Sequence, residues 1–330
     1  MSKPYQVVGI GNAIVDVLAQ VDEPFLAATR VERGIMTLID TARATELYAA
    51  MPPGQEISGG SGANTIAGFA ALGGRTAYVG KVKDDQLGAI FAHDLKALGA
   101  DYPVSLAPRD AEFETGRCLV LVTPDGERSM STYLGASETL APADIETEVM
   151  AGAEWLYLEG YRFDGPESHE AFAKAIAATK GAGGKVSVTL SDPFCVERHR
   201  DAFRRMVRED VDLLFANEHE LISLYQSASL DAALDAASAD CDLVACTVGA
   251  KGAIVVSGGA RTAVPATATK VVDATGAGDL FAAGFFHGLA NGRELESAAR
   301  MGCAAAGEVI SHIGARPEAD LRQIFADAGL

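Results

Sequence analysis

The sequence lacks the features that mark secreted and membrane-spanning proteins. Its five cysteines are odd in number and include no Cys-x-x-Cys pair. This pattern argues against a zinc site or a disulfide framework and predicts free thiols in a reducing compartment. No apolar run reaches the roughly 18 residues that span a bilayer, and no signal-peptide core follows the first methionine. We therefore expect a soluble, cytoplasmic protein.

Basic residues are also scarce. Lysine and arginine number 27 against 45 aspartates and glutamates, a formal net charge of −18. So acidic a chain repels a phosphate backbone, which argues against nucleic acid as a partner. A small anionic ligand stays compatible if backbone amides or a metal ion receive its charge. The six histidines form no metal-binding pattern: His219-Glu220 is followed by Ser223 where a metalloprotease helix needs a second histidine.

The composition is otherwise that of a globular protein, with 48 % apolar and 22 % charged residues. Its 330 residues fit either two domains of ~150 residues or one large α/β domain. From Trp155 onward, strand and helix patterns alternate, which predicts a doubly wound, mostly parallel sheet with helices on both faces. The segments near 12–40 and 115–134 are rich in strand patterns and interrupt this rhythm. We expect one α/β domain over residues 1–330 with a small β-sheet inserted from these two segments.

The most informative string is Asp-Ala-Thr-Gly-Ala-Gly-Asp at residues 273–279. The small residues Gly276, Ala277 and Gly278 precede a helical pattern and let a ligand approach the backbone. The first amides of a helix are unpaired and carry the positive end of its dipole, so they suit an oxyanion or phosphoryl group. Taken alone, Asp279 is equally well explained as an acid that stabilises the helix N-terminus.

The string resembles the C-terminal signature of the ribokinase-like carbohydrate and nucleoside kinases, the PfkB family. In that family the Gly-Ala-Gly amides form an anion hole for the γ-phosphoryl group of ATP, and the next aspartate is the catalytic base. The resemblance implies these roles for Gly276, Ala277 and Gly278, and for Asp279. It also implies a ribokinase-like fold in which the small sheet is a lid. Phosphoryl transfer needs a carboxylate near the attacking hydroxyl and neutralisation of phosphoryl charge, which agrees with this assignment.

Two further segments resemble the family's substrate-binding motifs. Gly-Gly-Ser-Gly-Ala-Asn at residues 59–64 is similar to its N-terminal glycine motif, which implies that Gly60, Ser61 and Asn64 contact the substrate. Residues 11–16 resemble the entry to the lid, which implies the same for Asn12 and Asp16. A carboxylate accepts two hydrogen bonds at once and so suits a sugar diol. The competing interpretations are a plain glycine loop before a helix and a loop aspartate after a strand.

Two segments resemble the family's nucleotide-binding elements. Asn217 and Glu220 match an Asn-x-x-Glu element, which implies that Glu220 holds Mg²⁺ through water. The competing interpretation is a helix cap followed by a solvated acid. Thr247, Gly249 and Gly252 match a Thr-x-Gly-x-x-Gly loop, in which the first two would bind ATP phosphates and the third would form a tight turn.

The resemblance implies a charged group and an ion site beside the anion hole. Arg128 follows a predicted hairpin turn, and in the family a lid arginine or lysine offsets charge on the transferred phosphoryl group. An exposed hairpin arginine is the competing interpretation. Residues 313–317 resemble the family's Gly-Ala-x-Pro end, where some members bind a monovalent cation. A potassium site would use Asp273, Thr275 and Gly314. The role of Asp192 stays open.

The resemblance extends from residue 5 to about residue 318 and leaves the substrate open. No Gly-x-x-x-x-Gly-Lys-Ser/Thr string occurs, which excludes the P-loop kinases. A nicotinamide-dependent oxidoreductase is disfavoured because Ile14 stands where the dinucleotide fingerprint needs a small residue. A non-catalytic nucleotide-binding regulator is disfavoured because Asp279 is present.

Within the kinases, adenosine or another purine nucleoside is the first choice. The segments that begin at Gly11, Met36 and Gly126 are most similar to the adenosine-kinase branch. Fructose, ribose and a keto-deoxy sugar acid are the alternatives. The acid would need two convergent arginines, where the sequence offers one. The expected partners are ATP with Mg²⁺ and the substrate, and the protein is expected to be a monomer or homodimer.

Overall fold

The computed structural model describes residues 3–330. Its strands are β1 (Tyr5–Ile10), β2 (Ile14–Gln20), β3 (Met36–Leu38), β4 (Gln55–Gly59), β5 (Thr76–Val79), β6 (Ala100–Asp101), β7 (Thr115–Val122), β8 (Arg128–Gly135), β9 (Ala153–Glu159), β10 (Lys185–Thr189), β11 (Leu213–Asn217), β12 (Leu243–Thr247), β13 (Ala253–Ser257) and β14 (Ala260–Val264). Its α-helices are α1 (Glu23–Thr29), α2 (Thr41–Ala50), α3 (Ser61–Ala71), α4 (Gln86–Ala97), α5 (Thr147–Ala151), α6 (Ser168–Gly181), α7 (Pro193–Glu209), α8 (Glu218–Tyr225), α9 (Leu230–Asp240), α10 (Ala277–Ala290), α11 (Leu295–Val309) and α12 (Leu321–Asp327).

The main sheet has nine strands in the order β14-β13-β12-β11-β10-β9-β1-β5-β6. All neighbours from β12 to β6 are parallel, and only β13 and β14 add antiparallel pairs at one edge. The central strands are apolar runs buried on both sides, as parallel strands between helix layers must be. The doubly wound α/β fold predicted from the sequence is therefore confirmed.

A second sheet of five strands has the order β3-β8-β7-β2-β4. It contains strands from both segments that the sequence singled out, and also β4, which lies outside them. Two helices of this region, α1 and α2, were not predicted. Each begins at an aspartate N-cap: Asp22 accepts from the amide of Phe25 at 2.9 Å, and Asp40 from the amide of Arg43 at 2.8 Å.

The two faces of the second sheet are both apolar but have different partners. Alternate residues of β2 and β7, such as Val17 and Leu119, pack against Leu26 of α1 and Leu47 of α2. The opposite face carries Ile14 and the cysteine and valines of β7, packed with three partly buried apolar side chains of β2 and β8. No helix of this sheet covers that second face, and it lines a cleft against the main sheet.

An aromatic cluster fixes helix α10 against the main sheet. The ring of Phe286 lies 5.3 Å from that of Phe215 in β11 and 5.6 Å from that of Tyr157 in β9. Helix α3 packs on the same helix at Gly68, where a Cβ would lie 2.6 Å from a methyl of Leu280. The N-termini of α3 and α10 therefore meet at one edge of the sheet.

The structure agrees with the expectation about thiols. All five cysteines are buried and free. Across the described part of the chain, none of the helices is both long and apolar enough to cross a membrane.

Candidate active site

A cleft of about 1440 Å³ lies between the carboxyl ends of the parallel strands and the open face of the second sheet. Ligands of doubly wound α/β proteins bind at this edge, where strand order reverses around the first strands. Most of the residues predicted for the site line this cleft: Asn12, Asp16, Gly60, Ser61, Asn64, Arg128, Asn217, Glu220, Thr247, Gly249, Thr275, Gly276, Ala277, Gly278, Asp279 and Gly314. Gly252 and Asp273 lie outside its lining.

Asp279 is held from the side by the glycine motif of residues 59–64. Its Oδ1 accepts from the Ser61 hydroxyl at 2.6 Å, and its Oδ2 accepts from Asn64 Nδ2 at 2.9 Å. Burial raises the pKa of Asp279 above its ordinary value, and these two hydrogen bonds oppose that rise. The arrangement fixes the carboxylate in one orientation and gives it a basicity closer to neutral pH.

The residues before Asp279 form an exposed helix N-terminus. Gly276 has a left-handed backbone with φ of 79°, and a Cβ there would lie 2.8 Å from that of Ala315. The first backbone bond inside α10 runs from the amide of Leu280 to the Gly276 carbonyl at 2.8 Å. The amides of Gly278 and Asp279 therefore precede the helical ladder and are available to an anion in the cleft.

Asp16 projects from the middle of β2 into the cleft. It has no hydrogen-bond partner within residues 3–330, and its register neighbours are Ile57 and Cys118. Burial raises its pKa to about 7, against the opposing charges of Arg316 and Arg128. The close approach of Asp16 also explains a glycine, because a Cβ at Gly59 would lie 2.4 Å from its carboxyl carbon.

Asn12 is largely occupied by the protein itself. Its Oδ1 accepts from the Ser137 hydroxyl at 3.0 Å and from Arg162 Nη1 at 3.3 Å. Its backbone amide donates to Glu159 Oε2 at 3.2 Å, and the same oxygen accepts from the amide of Gly62 at 2.7 Å. Only the side-chain nitrogen of Asn12 is left for a ligand, so its place in the site is mainly structural.

Arg128 joins the second sheet to the anion-binding loop. Its Nη1 donates to the Thr275 hydroxyl at 3.1 Å, and its Nη2 forms an ion pair with Asp273 that is not aligned as a hydrogen bond. Arg128 Nε and Nη2 are buried without an aligned acceptor. Burial lowers the pKa of this guanidinium, while Asp273 and Asp16 oppose the fall.

The residues suggested for potassium lie together, and the chain already pairs their one carboxylate with a cation. Asp273 Oδ1 accepts from the amide of Thr275 at 3.0 Å, and its Oδ2 accepts from the amide of Gly314 at 2.9 Å. The same Oδ2 is neutralised by Arg128. Arg128 therefore supplies a positive charge at Oδ2, whereas Oδ1 accepts one hydrogen bond and keeps one lone pair.

Asn217 and Glu220 form a reciprocal cap at the start of α8. Glu220 Oε2 accepts from the amide of Asn217 at 2.8 Å, and its Oε1 accepts from Asn217 Nδ2 at 2.6 Å. Burial raises the pKa of Glu220 to about 7, assisted by the nearby charge of Asp192. Within residues 3–330, no three His, Cys, Asp or Glu side chains form a metal cluster. Each oxygen of Glu220 keeps one lone pair, so the donor set fits Mg²⁺ held through water.

The predicted Thr-x-Gly-x-x-Gly loop lies at the end of β12. Thr247 and Gly249 line the cleft, whereas Gly252 shapes the turn that follows. Gly252 has φ of 103°, and a Cβ there would lie 2.0 Å from the Val264 carbonyl oxygen. Gly252 therefore serves the fold of the loop rather than touching a ligand.

Sequence reasoning missed two charged residues of the site. Glu159 ends β9 and is almost fully buried, with 1 % exposure. Its pKa is raised to about 7, chiefly by burial. Arg316 follows Gly314 and Ala315, and its guanidinium faces Asp16 and Asp279. Glu159 could have been found from the sequence, because a glutamate at the carboxyl end of a central strand is a usable signal. Arg316 could not, because only the fold brings it to the glycine motif.

Comparison with known proteins places these features in context. The sequence model of the pfkB family carbohydrate kinases matches residues 34–321. A solved structure of a probable sugar kinase from Rhizobium etli is 44 % identical, with a TM-score of 0.92 over 99 % of both chains. The adenosine kinase of Sinorhizobium meliloti is 45 % identical, with a TM-score of 0.91 over 98 % of this chain and 99 % of that one. The adenosine kinase of Saccharomyces cerevisiae is 27 % identical over 92 % of this chain and 94 % of its own length.

Proposed function

Because the chain belongs to the pfkB family of carbohydrate kinases, we propose that it moves the γ-phosphoryl group of Mg-ATP to the 5′-hydroxyl of adenosine. Kinase relatives of both nucleoside and sugar type match it over most of its length. The choice of a nucleoside rests on one observation: the second sheet presents a broad apolar face to the cleft.

Asp279 is the proposed base. A substrate hydroxyl that enters beside Ser61 and Asn64 would lie next to the carboxylate that these residues orient. As the hydroxyl oxygen attacks phosphorus, its proton passes to Asp279, and the bond from phosphorus to the ADP oxygen breaks. Because its pKa is raised, Asp279 is a stronger base than an exposed aspartate. Asn64 Oδ1 is buried without a partner and is free to accept from the substrate.

The charge of the transferred group would be met by three kinds of donor. The amides of Gly278 and Asp279, which precede the helical ladder of α10, would donate to the oxygens of the γ-phosphoryl group. Arg128 reaches the same loop and keeps buried nitrogens without aligned acceptors. Glu220 would hold Mg²⁺ through water, and the ion would neutralise further charge on the phosphates. Thr247 and Gly249 would contact the remaining phosphates of ATP from the end of β12.

The apolar face of the second sheet favours a nucleoside base over a bare sugar. Apolar side chains of this face line the cleft, among them Ile14, Leu18, Met36, Leu38, Val120, Met130 and Leu134. Met36 and Leu38 are 39 % and 50 % exposed, which leaves apolar surface to be covered. A purine ring that buries ~100 Å² of this surface would gain roughly 2.5 kcal/mol. A free pentose or hexose offers no matching face.

The polar end of the cleft matches the ribose of a nucleoside. Asp16 has no protein partner within the described residues and lies beside Asp279, so it can accept two vicinal hydroxyls while the 5′-hydroxyl approaches the base. A sugar acid is less well served, because none of the three arginines that line the cleft is left for a carboxylate. Arg128 is assigned to the phosphoryl group, Arg198 is bound to Asp164, and Arg316 is bound to backbone carbonyls.

We further propose that the second sheet acts as a lid over the substrate. Asp16 and Arg128 both project from it toward the main domain. Closure of such a lid over the cleft excludes water, which would otherwise compete with the substrate hydroxyl for the phosphoryl group.

A substrate panel with Mg-ATP tests the proposal. ADP release would be measured with adenosine, ribose, fructose and a keto-deoxy sugar acid, and adenosine should have the highest kcat/KM. Leu38→Ser should lower kcat/KM for adenosine about tenfold, because roughly 1.4 kcal/mol of apolar contact is lost. Leu98→Ser is the matched control, since Leu98 is 39 % exposed but lies away from the cleft. A sugar with the highest kcat/KM, unaffected by Leu38→Ser, would overturn the choice of a nucleoside.

A further inference from the structure

The loop between α11 and α12 connects the two glycine motifs through three consecutive residues. The amide of Gly314 donates to Asp273 Oδ2 at 2.9 Å, and Ala315 packs against Gly276. Arg316 then reaches the other motif, where its Nη1 donates to the Ala63 carbonyl at 2.7 Å and its Nη2 to the Ser58 carbonyl at 2.8 Å. One short loop therefore sets the distance between the anion-binding helix and the glycine motif.

The guanidinium of Arg316 is fully committed to this segment. Its Nε donates to the Ser58 carbonyl at 3.2 Å, and its Nη2 also reaches the Ser58 hydroxyl at 3.1 Å. Every nitrogen of the side chain thus contacts residues 58–63. These carbonyls lie at the end of β4 and in the first turn of α3, where the second sheet joins the main domain.

A carboxylate holds the same segment from the opposite side. Glu159 accepts from the amide of Gly62 at 2.7 Å and from that of Asn12 at 3.2 Å. One backbone amide of the segment, that of Gly62, is thus bound by a carboxylate, and two of its carbonyls, those of Ser58 and Ala63, are bound by a guanidinium. Ser61 and Asn64, the two residues that orient Asp279, lie in or next to the segment that Glu159 and Arg316 bind.

We propose that Arg316 is a positioning residue of the phosphotransfer site: by binding the carbonyls of Ser58 and Ala63 it places Ser61 and Asn64 against Asp279, and its positive charge acts on that carboxylate through space. This inference rests on the proposed function of Asp279. No hydrogen bond joins Arg316 to Asp279, so the side chain acts through the segment and through its field.

The charges around Asp279 make the second part of the proposal measurable. The titratable groups that face it are Asp16 of β2, Tyr157 and Glu159 of β9, Glu220 of α8 and Arg316 itself. Burial is the main cause that raises the pKa of Asp279, the hydrogen bonds from Ser61 and Asn64 lower it, and the charge of Arg316 lowers it further. Removing the guanidinium leaves the carboxylates without this neutralisation, so the base should protonate at a higher pH.

The test compares Arg316→Met and Arg316→Lys with the unaltered protein, using the acceptor with the highest kcat/KM in the panel. Arg316→Met should lower kcat at least 100-fold and move the acid limb of the kcat profile up by about one pH unit. Arg316→Lys should restore the position of the acid limb but not the full kcat, because an ammonium cannot bridge two carbonyls as a planar fork does. Arg322→Met is the control, since it removes an exposed arginine from the neighbouring α12.

Amide exchange of residues 58–64 gives a second readout that needs no acceptor. Both Arg316 variants should exchange faster there, and Arg322→Met should not. If Arg316→Met does not fold, the amide exchange and the kcat of Arg316→Lys still test the positioning role. If Arg316→Lys has the same kcat and the same amide exchange as the unaltered protein, the positioning role is wrong. If the acid limb of the kcat profile does not move in Arg316→Met, the proposed effect of the charge is wrong. If no compound of the panel is phosphorylated, the proposed function is contradicted instead. The exchange experiment would then still test whether Arg316 holds residues 58–64 in place.

Discussion

Replacement of Asp16 by asparagine separates the proposed diol contact from a role in the fold. Asn has the same shape but loses the charge and one of the two acceptor oxygens. Each hydrogen bond to a charged group contributes roughly 1.5–3 kcal/mol, so loss of charge assistance from two bonds should cost about 2–4 kcal/mol. We therefore expect KM for adenosine to rise about 30- to 1000-fold, with KM for ATP nearly unchanged.

A substrate without the diol supplies the control for this prediction. In a double cycle, 2′,3′-dideoxyadenosine should bind the Asp16→Asn variant and the unaltered protein with similar affinity, because the contact is already absent. Binding would be measured by calorimetry for both nucleosides and for ATP. An equal loss of affinity for ATP and adenosine, or an equal loss for both nucleosides, would refute the contact with the hydroxyls.

The dependence of stability and of KM on pH provides a second test of the role of Asp16. The pKa of Asp16 is raised to about 7 from 3.8, chiefly by burial, so folding disfavours the ionised form. Its destabilising contribution, at most about 4 kcal/mol, is fully present above pH 7 and is lost as the pH falls toward 4. Asp16→Asn should therefore raise the Tm of the ligand-free protein at pH 8 but not at pH 4. In the unaltered protein, KM for adenosine should rise as the pH falls from 8 to 6.

Four further outcomes are expected. Asp279→Asn should lower kcat by ~10²–10⁴ and leave both ligands bound, and a near-normal kcat would remove it from the mechanism. Glu220→Gln should raise the Mg²⁺ concentration for half-maximal rate, and an unchanged titration would contradict that role. Replacing sodium by potassium at equal ionic strength should leave kcat and Tm unchanged, because Arg128 already neutralises Asp273; clear activation by potassium would disprove this. Adenosine should slow amide exchange in the second sheet more than ATP does, and equal protection with and without it would indicate a rigid sheet.

Much of the main sheet could be predicted because its strands β5, β9, β10 and β11 are short apolar runs, each followed by a helical pattern. The apolar run of residues 186–190 matches β10 within one residue, and the helical pattern that starts at Glu218 matches α8. The small helices α1 and α2 could not, because seven to ten residues with a narrow apolar stripe differ little from a strand pattern. Asp40 illustrates the difficulty, since the strand pattern of residues 36–40 runs directly into this aspartate, which is the N-cap of α2.

The candidate site could be predicted where its residues form local strings. In residues 273–279 and in residues 59–64, the glycine backbone and the functional side chain are only a few positions apart. Their position in the sequence therefore also predicts that they lie close together in the structure. Arg316 and Glu159 act on residues more than 90 positions away, and no local pattern encodes such a contact. The neutralisation of Asp273 by Arg128 escaped prediction for the same reason, because the two are 145 positions apart and meet only when the sheets pack.

The central claim is transfer of phosphate to the 5′-hydroxyl of a nucleoside, and the identity of the product tests it most directly. Phosphorus NMR of a reaction with adenosine and Mg-ATP should show 5′-AMP formed in equal amount to ADP. 5′-Deoxyadenosine should give no phosphorylated product, and Asp279→Asn should form 5′-AMP at only a trace rate. Phosphate found on a 2′- or 3′-oxygen, or ADP released without any 5′-AMP, would contradict the account.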